Sequence, residues 1–189
     1  MLDQFRPAIV LTVLLSALTG LGYPLAITAV AQAAFPVQAN GSRIEIDGQL
    51  IGSDLIGQNF SQPGYFWPRP SATVPDPYNA AGSSGSNYGP TDARLIERVS
   101  GAVASLGAAA PVPADAVTTS ASGLDPHITP QNAALQVARI AAARGVAPAL
   151  VDAILADVTE QPLLGIFGQP RVNVLRLNLA LDQAAPTGN

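Results

Sequence analysis

The sequence predicts an α+β protein: a single N-terminal transmembrane helix followed by one mixed α/β soluble domain with a long Pro/Gly/Ser-rich loop. Three observations predict it. No charged residue occurs between Pro7 and Ser42. Beyond that run, apolar residues recur at helical spacing in several stretches, and the segment Arg43 to Gly52 alternates like a pair of strands. Between these patterns, Pro68 to Pro90 is dense in Pro, Gly, Ser and Asn and holds no regular period.

The uncharged run comes first. A bilayer core of about 30 Å needs roughly 20 apolar residues in a helix, and Ala8 to Ala34 exceeds that. The competing reading is a secretory signal, with Arg6 as its charged start and Ala31-Gln32-Ala33 as a small-residue cleavage site. The apolar stretch outruns a signal core of about 7–15 residues, which favours a retained anchor. Arg6 then orients the helix with its start inside. The expected layout is a cytoplasmic N-terminus over residues 1–6, a transmembrane helix over 7–34, an extracytoplasmic domain over 41–183 and a disordered tail over 184–189. Ala8, Thr12, Ser16 and Gly20 lie four apart and form a small-residue ridge on one helix face. Such a ridge either admits a partner helix or reflects the ordinary composition of membrane helices. Tyr23 suits an interfacial position, and Pro24 is expected to kink or finish the helix.

In the domain, Ile44 and Ile46 alternate with polar residues, Asp47-Gly48 is a type I′ turn signal, and Leu50-Ile51 follows, so a hairpin is expected. Tyr65-Phe66-Trp67 concentrates the aromatic surface of a chain poor in it. These rings either join the core or line a binding surface. The stretch 68–90 is either a linker or an ordered loop, and Tyr78, Asn79 and Tyr88 argue for order. Leu95, Val99, Val103 and Leu106 predict a helix over 92–106, capped by Thr91 and stopped by Gly107. A short strand is expected at Val117-Thr118-Thr119. Thr129, Pro130 and Gly145 bound the clearest helix, with Ala134, Val137, Ala138 and Ala141 facing inward. A second helix over Pro148 to Val158 turns Val151, Ile154, Leu155 and Val158 inward and completes an αα-hairpin. Pro162 to Pro170 reads as a loop. From Asn173 to Leu181 the pattern fits strand and helix alike. Leu-rich and Ala-rich content with Asn173 as a cap favours helix.

Composition excludes several function classes. The 189 residues carry a net charge of −4, with nine Arg, no Lys, no Cys, one His and one Trp. No basic patch exists for nucleic acid, and a Lys-dependent phosphate loop or a paired-His metal site is impossible. Ser120 or Ser122 with Asp125 and His127 holds the residue types of a nucleophilic triad, but within eight residues, which is too local. The turn Ser120-Ala121-Ser122-Gly123-Leu124-Asp125-Pro126 leads towards a helix start. It is either an anion-holding turn or a structural one. Gln136 and Arg139 lie on that helix, within reach of an anion or on its solvated face.

The segment Val117 to Ile128 resembles the signature of the C subunit of the bacterial Kdp-type potassium-transporting ATPase. So do Gly52-Ser53 with Leu55-Ile56-Gly57-Gln58, Tyr65-Phe66 with Arg69-Pro70-Ser71, Tyr78-Asn79 with Gly85-Ser86-Asn87, and the tail Gly165, Phe167-Gly168, Pro170 to Leu175, Asn178 and Ala180-Leu181-Asp182. Only 108–110 and the last residues look unconstrained. The resemblance implies an accessory, non-catalytic subunit of a bacterial inner-membrane complex that imports K⁺ at the expense of ATP. Its implied partners are a potassium-channel-like translocating subunit, a P-type ATPase subunit and a small helical subunit. It also implies a catalytic chaperone that raises the ATP affinity of the pump subunit. Gln136 and Arg139, with Ser122 and Gly123, are then the expected nucleotide contacts. K⁺ is cargo of the complex and not a ligand of this chain. An extracytoplasmic domain fits ATP contact poorly. It better fits a domain that stabilises the assembly and shapes the outer K⁺ entrance, or an anchored binding or scaffold protein with no part in ATP use.

Overall fold

The computed structural model describes residues 2–107 and 111–186. The expectation of an unconstrained 108–110 lies outside them, as does the end of the tail. The chain separates into two compact units, residues 1–44 and 45–189.

The first unit is one long helix with an internal irregularity. A 3₁₀ turn at Leu2–Gln4 leads into α1 (Phe5–Ala17), a π-helical segment follows at Leu18–Gly22, and α2 (Tyr23–Ala34) continues the run. A short α3 (Pro36–Ala39) ends it. The span Phe5–Ala34 has the length and apolarity to cross a membrane, with mean hydropathy 1.9 over an 18-residue window, and no residue of α1 or α2 is buried. Pro24 does not finish the helix, which continues to Ala34. Proline removes one N–H and its ring crowds the carbonyl four residues back. The π-helical segment sits directly before Pro24, and its wider turn shifts those carbonyls out of the ring's way. The same wide turn places Gly20 in a different helical register from Ala8, Thr12 and Ser16, which keep α spacing on α1.

Strands β1 (Arg43–Ile46) and β2 (Gln49–Ser53) pair as a hairpin. Asp47 and Gly48 both adopt positive φ, 51° and 76°, as a type I′ turn requires. The region 54–90 is ordered, with a 3₁₀ turn at Ala80–Gly82 started by the Asn79 side chain. Helix α4 (Ala93–Leu106) is capped by Asp92 and not by Thr91; the Asp92 carboxylate accepts from the Arg94 N–H at 2.9 Å. No residue of α4 is buried, so its apolar stripe lies outside the core.

The strand expected at Val117-Thr118-Thr119 is absent. Its place is taken by α5 (Ala114–Val117), which Thr118 closes by donating its hydroxyl to the Ala114 carbonyl at 2.6 Å. Strand β3 (His127–Ile128) follows, then α6 (Pro130–Arg144), α7 (Pro148–Val158), β4 (Val172–Asn173) and α8 (Val174–Ala184). β3 and β4 pair antiparallel, His127 opposite Asn173 and Ile128 opposite Val172. The ambiguous last element is thus a two-residue strand and then a helix, with Asn173 as its cap.

The core gathers Val137, Ile140 and Ala141 of α6, Val151 and Leu155 of α7, Leu177 and Leu181 of α8, the strand residues Ile128 and Val172, and Phe66 from the loop region. Helix α6 buries Asn132, Ala133, Gln136, Val137, Ile140 and Ala141. Ala134 and Ala138, expected inside, are exposed. The face is rotated because Asn132 and Gln136, polar and therefore read as outward, belong to the interior. Helix α8 reaches Ala184, and Ala185 is buried, so order extends past residue 183.

Candidate functional site

The most constrained region is the strap Tyr65-Phe66-Trp67, held by side chains from two helices. Phe66 is fully buried, and Asn178 of α8 is 1% exposed beside it. Asn178 accepts from the Phe66 N–H at 2.8 Å and donates to the Phe66 carbonyl at 3.0 Å. One residue on, Gln136 of α6 does the same. It accepts from the Trp67 N–H at 2.7 Å and donates to the Trp67 carbonyl at 3.1 Å. Successive residues of an extended chain point their amides to opposite sides. The two carboxamides therefore stand in for neighbouring strands, one on each side. Tyr65 and Trp67 are clamped by arginines. The Arg139 guanidinium lies 3.8 Å from the Trp67 ring centroid, and that of Arg144 lies 4.8 Å from Tyr65. Arg144 is wholly enclosed and donates to the Gly64 carbonyl at 2.6 Å, the Ala185 carbonyl at 2.7 Å and Asp182 at 2.8 Å. The three aromatics divide: Phe66 is core, while Trp67 lines a cavity.

That cavity, of about 990 Å³, lies between the strap, α4 and α6. Phe60, Trp67, Tyr78 and Leu135 supply apolar walls, and Arg69, Gln136 and Arg139 supply polar ones. Gln136 and Arg139 thus meet at one cavity, as their spacing on a helix requires. Both are heavily engaged. Gln136 also donates to Asn132 at 3.1 Å and accepts from Arg139 at 2.7 Å.

Ser122 and Gly123 lie elsewhere. Ser122 lines a second hollow of about 560 Å³ with Arg69, Thr119, Ser120 and Asp125. The turn's N–H groups are turned inward: Gly123 donates to the Ser120 hydroxyl at 2.9 Å, and Leu124 to the Ser122 hydroxyl at 3.1 Å. Gly123 adopts φ +67°, and a Cβ there would meet the Ser84 carbonyl at 2.6 Å. The turn serves as the seat of the ordered loop. Ser84 N–H reaches the Ser122 carbonyl at 2.9 Å, and Ser71 reaches that of Gly123 at 2.7 Å. The start of α6 is likewise filled. Asp115 accepts from the Thr129 N–H at 2.7 Å, the Thr129 hydroxyl at 3.0 Å and Asn132 at 3.1 Å. A carboxylate already complements that helix dipole.

The triad residues do not form a relay. Asp125 accepts from the His127 N–H at 3.0 Å and from Arg69 at 3.0 Å, with the His127 ring at 3.6 Å. The Ser120 and Ser122 hydroxyls face one another at 3.4 Å, each taking its own turn N–H. Burial pushes the Asp125 carboxyl up, but the His127 hydrogen bonds and the Arg69 guanidinium outweigh it and hold Asp125 below the usual carboxylate range. Burial raises the Tyr78 phenol far above its ordinary value, and its hydroxyl donates to the Arg69 carbonyl at 2.7 Å. Arg69 borders both hollows, and its Nε is the one buried side-chain polar atom without a partner among the described residues. Sequence reasoning passed over Arg69, Asn132 and Asn178 as site residues. Arg69 and Asn178 were marked only as members of the family motifs, and Asn132 only as a polar residue next to the apolar face of its helix.

The family model for the K⁺-transporting ATPase c chain, KdpC, matches residues 5–183. The chain is 55% identical over 185 residues to the potassium-transporting ATPase KdpC subunit of Dechloromonas aromatica (strain RCB), covering 95% of this chain and 97% of that one. It is 56% identical over 189 residues to the KdpC subunit of Sorangium cellulosum (strain So ce56), covering 97% and 100%. Against the KdpC subunit of Herpetosiphon aurantiacus the identity is 55% over 184 residues, covering 95% of each.

Proposed function

We propose that this chain, which belongs to the KdpC family of K⁺-transporting ATPase subunits, is a non-catalytic scaffold subunit of a K⁺ import complex. The observation that carries this reading is a division of labour. One helix long and apolar enough to span a membrane leads into a domain whose polar side chains are spent on holding loops to helices. A protein so arranged contributes rigid surface to an assembly. The start of the helix lies in the cytoplasm and the domain outside, where it steadies the assembly and shapes the outer K⁺ entrance. The Ala8, Thr12 and Ser16 ridge packs against membrane helices of a potassium-channel-like translocating subunit. The other partners are a P-type ATPase subunit and a small helical subunit.

The test is recovery and topology together. A tagged chain purified from membranes should bring these partners with it; recovery alone would refute the scaffold reading. Ser105→Cys in intact cells should react with a membrane-impermeant maleimide, and labelling confined to lysed cells would refute the outside placement.

A second reading, a catalytic chaperone that raises the ATP affinity of the pump subunit, is favoured by the cavity of about 990 Å³ beside Gln136 and Arg139. That volume is of ligand-pocket size. Photoaffinity labelling of the whole complex with an azido-ATP should then mark a peptide bearing Trp67 or Gln136. Label found only on the P-type subunit would refute direct contact.

A further inference from the structure

Residues 160–171, between α7 and β4, form a finger with an apolar tip. Its base is a bridge in which Glu160 and Arg171 exchange backbone hydrogen bonds of 2.9 and 3.1 Å, reinforced by their ion pair at 2.9 Å. Higher up, Leu163 and Phe167 exchange backbone bonds of 2.9 and 3.0 Å. Above this ladder the turn exposes Leu163 (71%), Leu164 (81%), Ile166 (74%) and Phe167 (61%). From Gln161 to Pro170 no residue is charged. Leu164 adopts φ +55°, a conformation a leucine rarely accepts without compensation. An ordered tip that displays four large apolar side chains is an unsatisfied surface.

We propose that this finger plugs into an apolar, uncharged cleft of a membrane-embedded subunit of the same K⁺-transporting ATPase. This rests on the scaffold reading above. Size argues against a second copy of this chain: four side chains offer on the order of 400–500 Å², roughly half of the ~800 Å² per partner that a stable interface needs. The plug therefore suits a partner already held close by another contact, and the membrane helix supplies one. Charge gives lipid no added hold. The tip carries no Arg, Arg171 at its base is engaged by Glu160, and the chain is net negative, so nothing draws it to anionic headgroups.

A benzophenone-bearing amino acid placed at Leu164 in the assembled complex tests the assignment, with the same probe at Thr12 as reference. Crosslinking of the Leu164 probe to another subunit of the complex supports it. Crosslinking only to lipid, only to a second copy, or to nothing while the Thr12 probe captures a subunit, overturns it and leaves the scaffold reading intact. Capture of no subunit from either position overturns both. As a second measurement, Leu164→Asn with Ile166→Ser should reduce recovery of the chain in the complex roughly tenfold or more. Asn is at ease at positive φ, so the melting of the full chain by itself should stay unchanged. Undiminished recovery overturns the proposal.

Discussion

Asn178→Asp isolates the strap with almost no change in shape. Asn178 sits 1% exposed and exchanges two hydrogen bonds with Phe66, accepting at 2.8 Å and donating at 3.0 Å. A protonated Asp preserves both bonds. An ionised Asp keeps the acceptor, loses the donor, turns an oxygen onto the Phe66 carbonyl and carries a charge into the core. All three effects raise its folded-state pKa, by roughly 3–5 units for a fully buried carboxyl. A carboxyl raised on folding stabilises below its unfolded value of about 3.9 and loses that contribution as pH rises towards the folded value. The variant should therefore cost under about 1 kcal/mol near pH 4. At pH 7, about three units higher and at 1.36 kcal/mol per unit, the cost reaches about 4 kcal/mol. For a domain of this size that lowers Tm by roughly 8–16 °C. The assay is thermal melting of the full chain in detergent, with variant and parent compared at each pH. An equal deficit at both pH values would refute the reasoning, because it would place Asn178 outside the hydrogen-bonded core.

Gln136→Ala removes four bonds at the cavity edge, where water replaces part of them, so it should cost about 2–4 kcal/mol in the same melting assay. Any change in ATP affinity of the complex should then scale with this lost stability; a change with an unaltered melt would point to direct nucleotide contact instead. Arg176 holds Asp54 below the usual carboxylate range through an ion pair, and Asp125 lies below it as well. Depressed carboxyls stabilise at neutral pH and lose that contribution as pH falls below about 4, so Arg176→Gln should flatten the acid limb of a Tm–pH curve. Gly57→Ala should cost about 1–3 kcal/mol, because its Cβ would lie 2.4 Å from the Tyr78 ring and 2.8 Å from the Asp125 carbonyl. Gly101→Ala in α4 meets nothing within 4 Å and should stabilise by up to ~1 kcal/mol, read by denaturant unfolding.

Much of the local structure was legible because its signals are short in range. The membrane-length helix, the Asp47-Gly48 turn, the Thr129–Gly145 helix and the Asn173 cap each follow from a few adjacent residues. Failures arose where the decisive partner lies far along the chain. Helix α6 was rotated in expectation because Asn132 and Gln136 look outward until Asp115 and Trp67 are brought to them. The strand expected at 117–119 gave way to α5, whose Asp115 caps a helix start fourteen residues on. The four expected nucleotide contacts do not converge: Ser122 lines one hollow and, with Gly123, seats the 68–90 loop, while Gln136 and Arg139 border another and clamp the strap.

The sequence by itself determined the membrane-length helix, the α+β character and, through its series of motifs, the family. Those rest on composition, periodicity and local capping, which need no knowledge of distant neighbours. Only the tertiary structure decided which polar residues are interior, how the helix continues past Pro24, and that the apolar tip at 163–167 takes no part in this chain's own core. A buried carboxamide and an exposed leucine look like exceptions to hydropathy in one dimension. Each acquires its reason only when the backbone group it satisfies, or the surface it presents, is fixed in three.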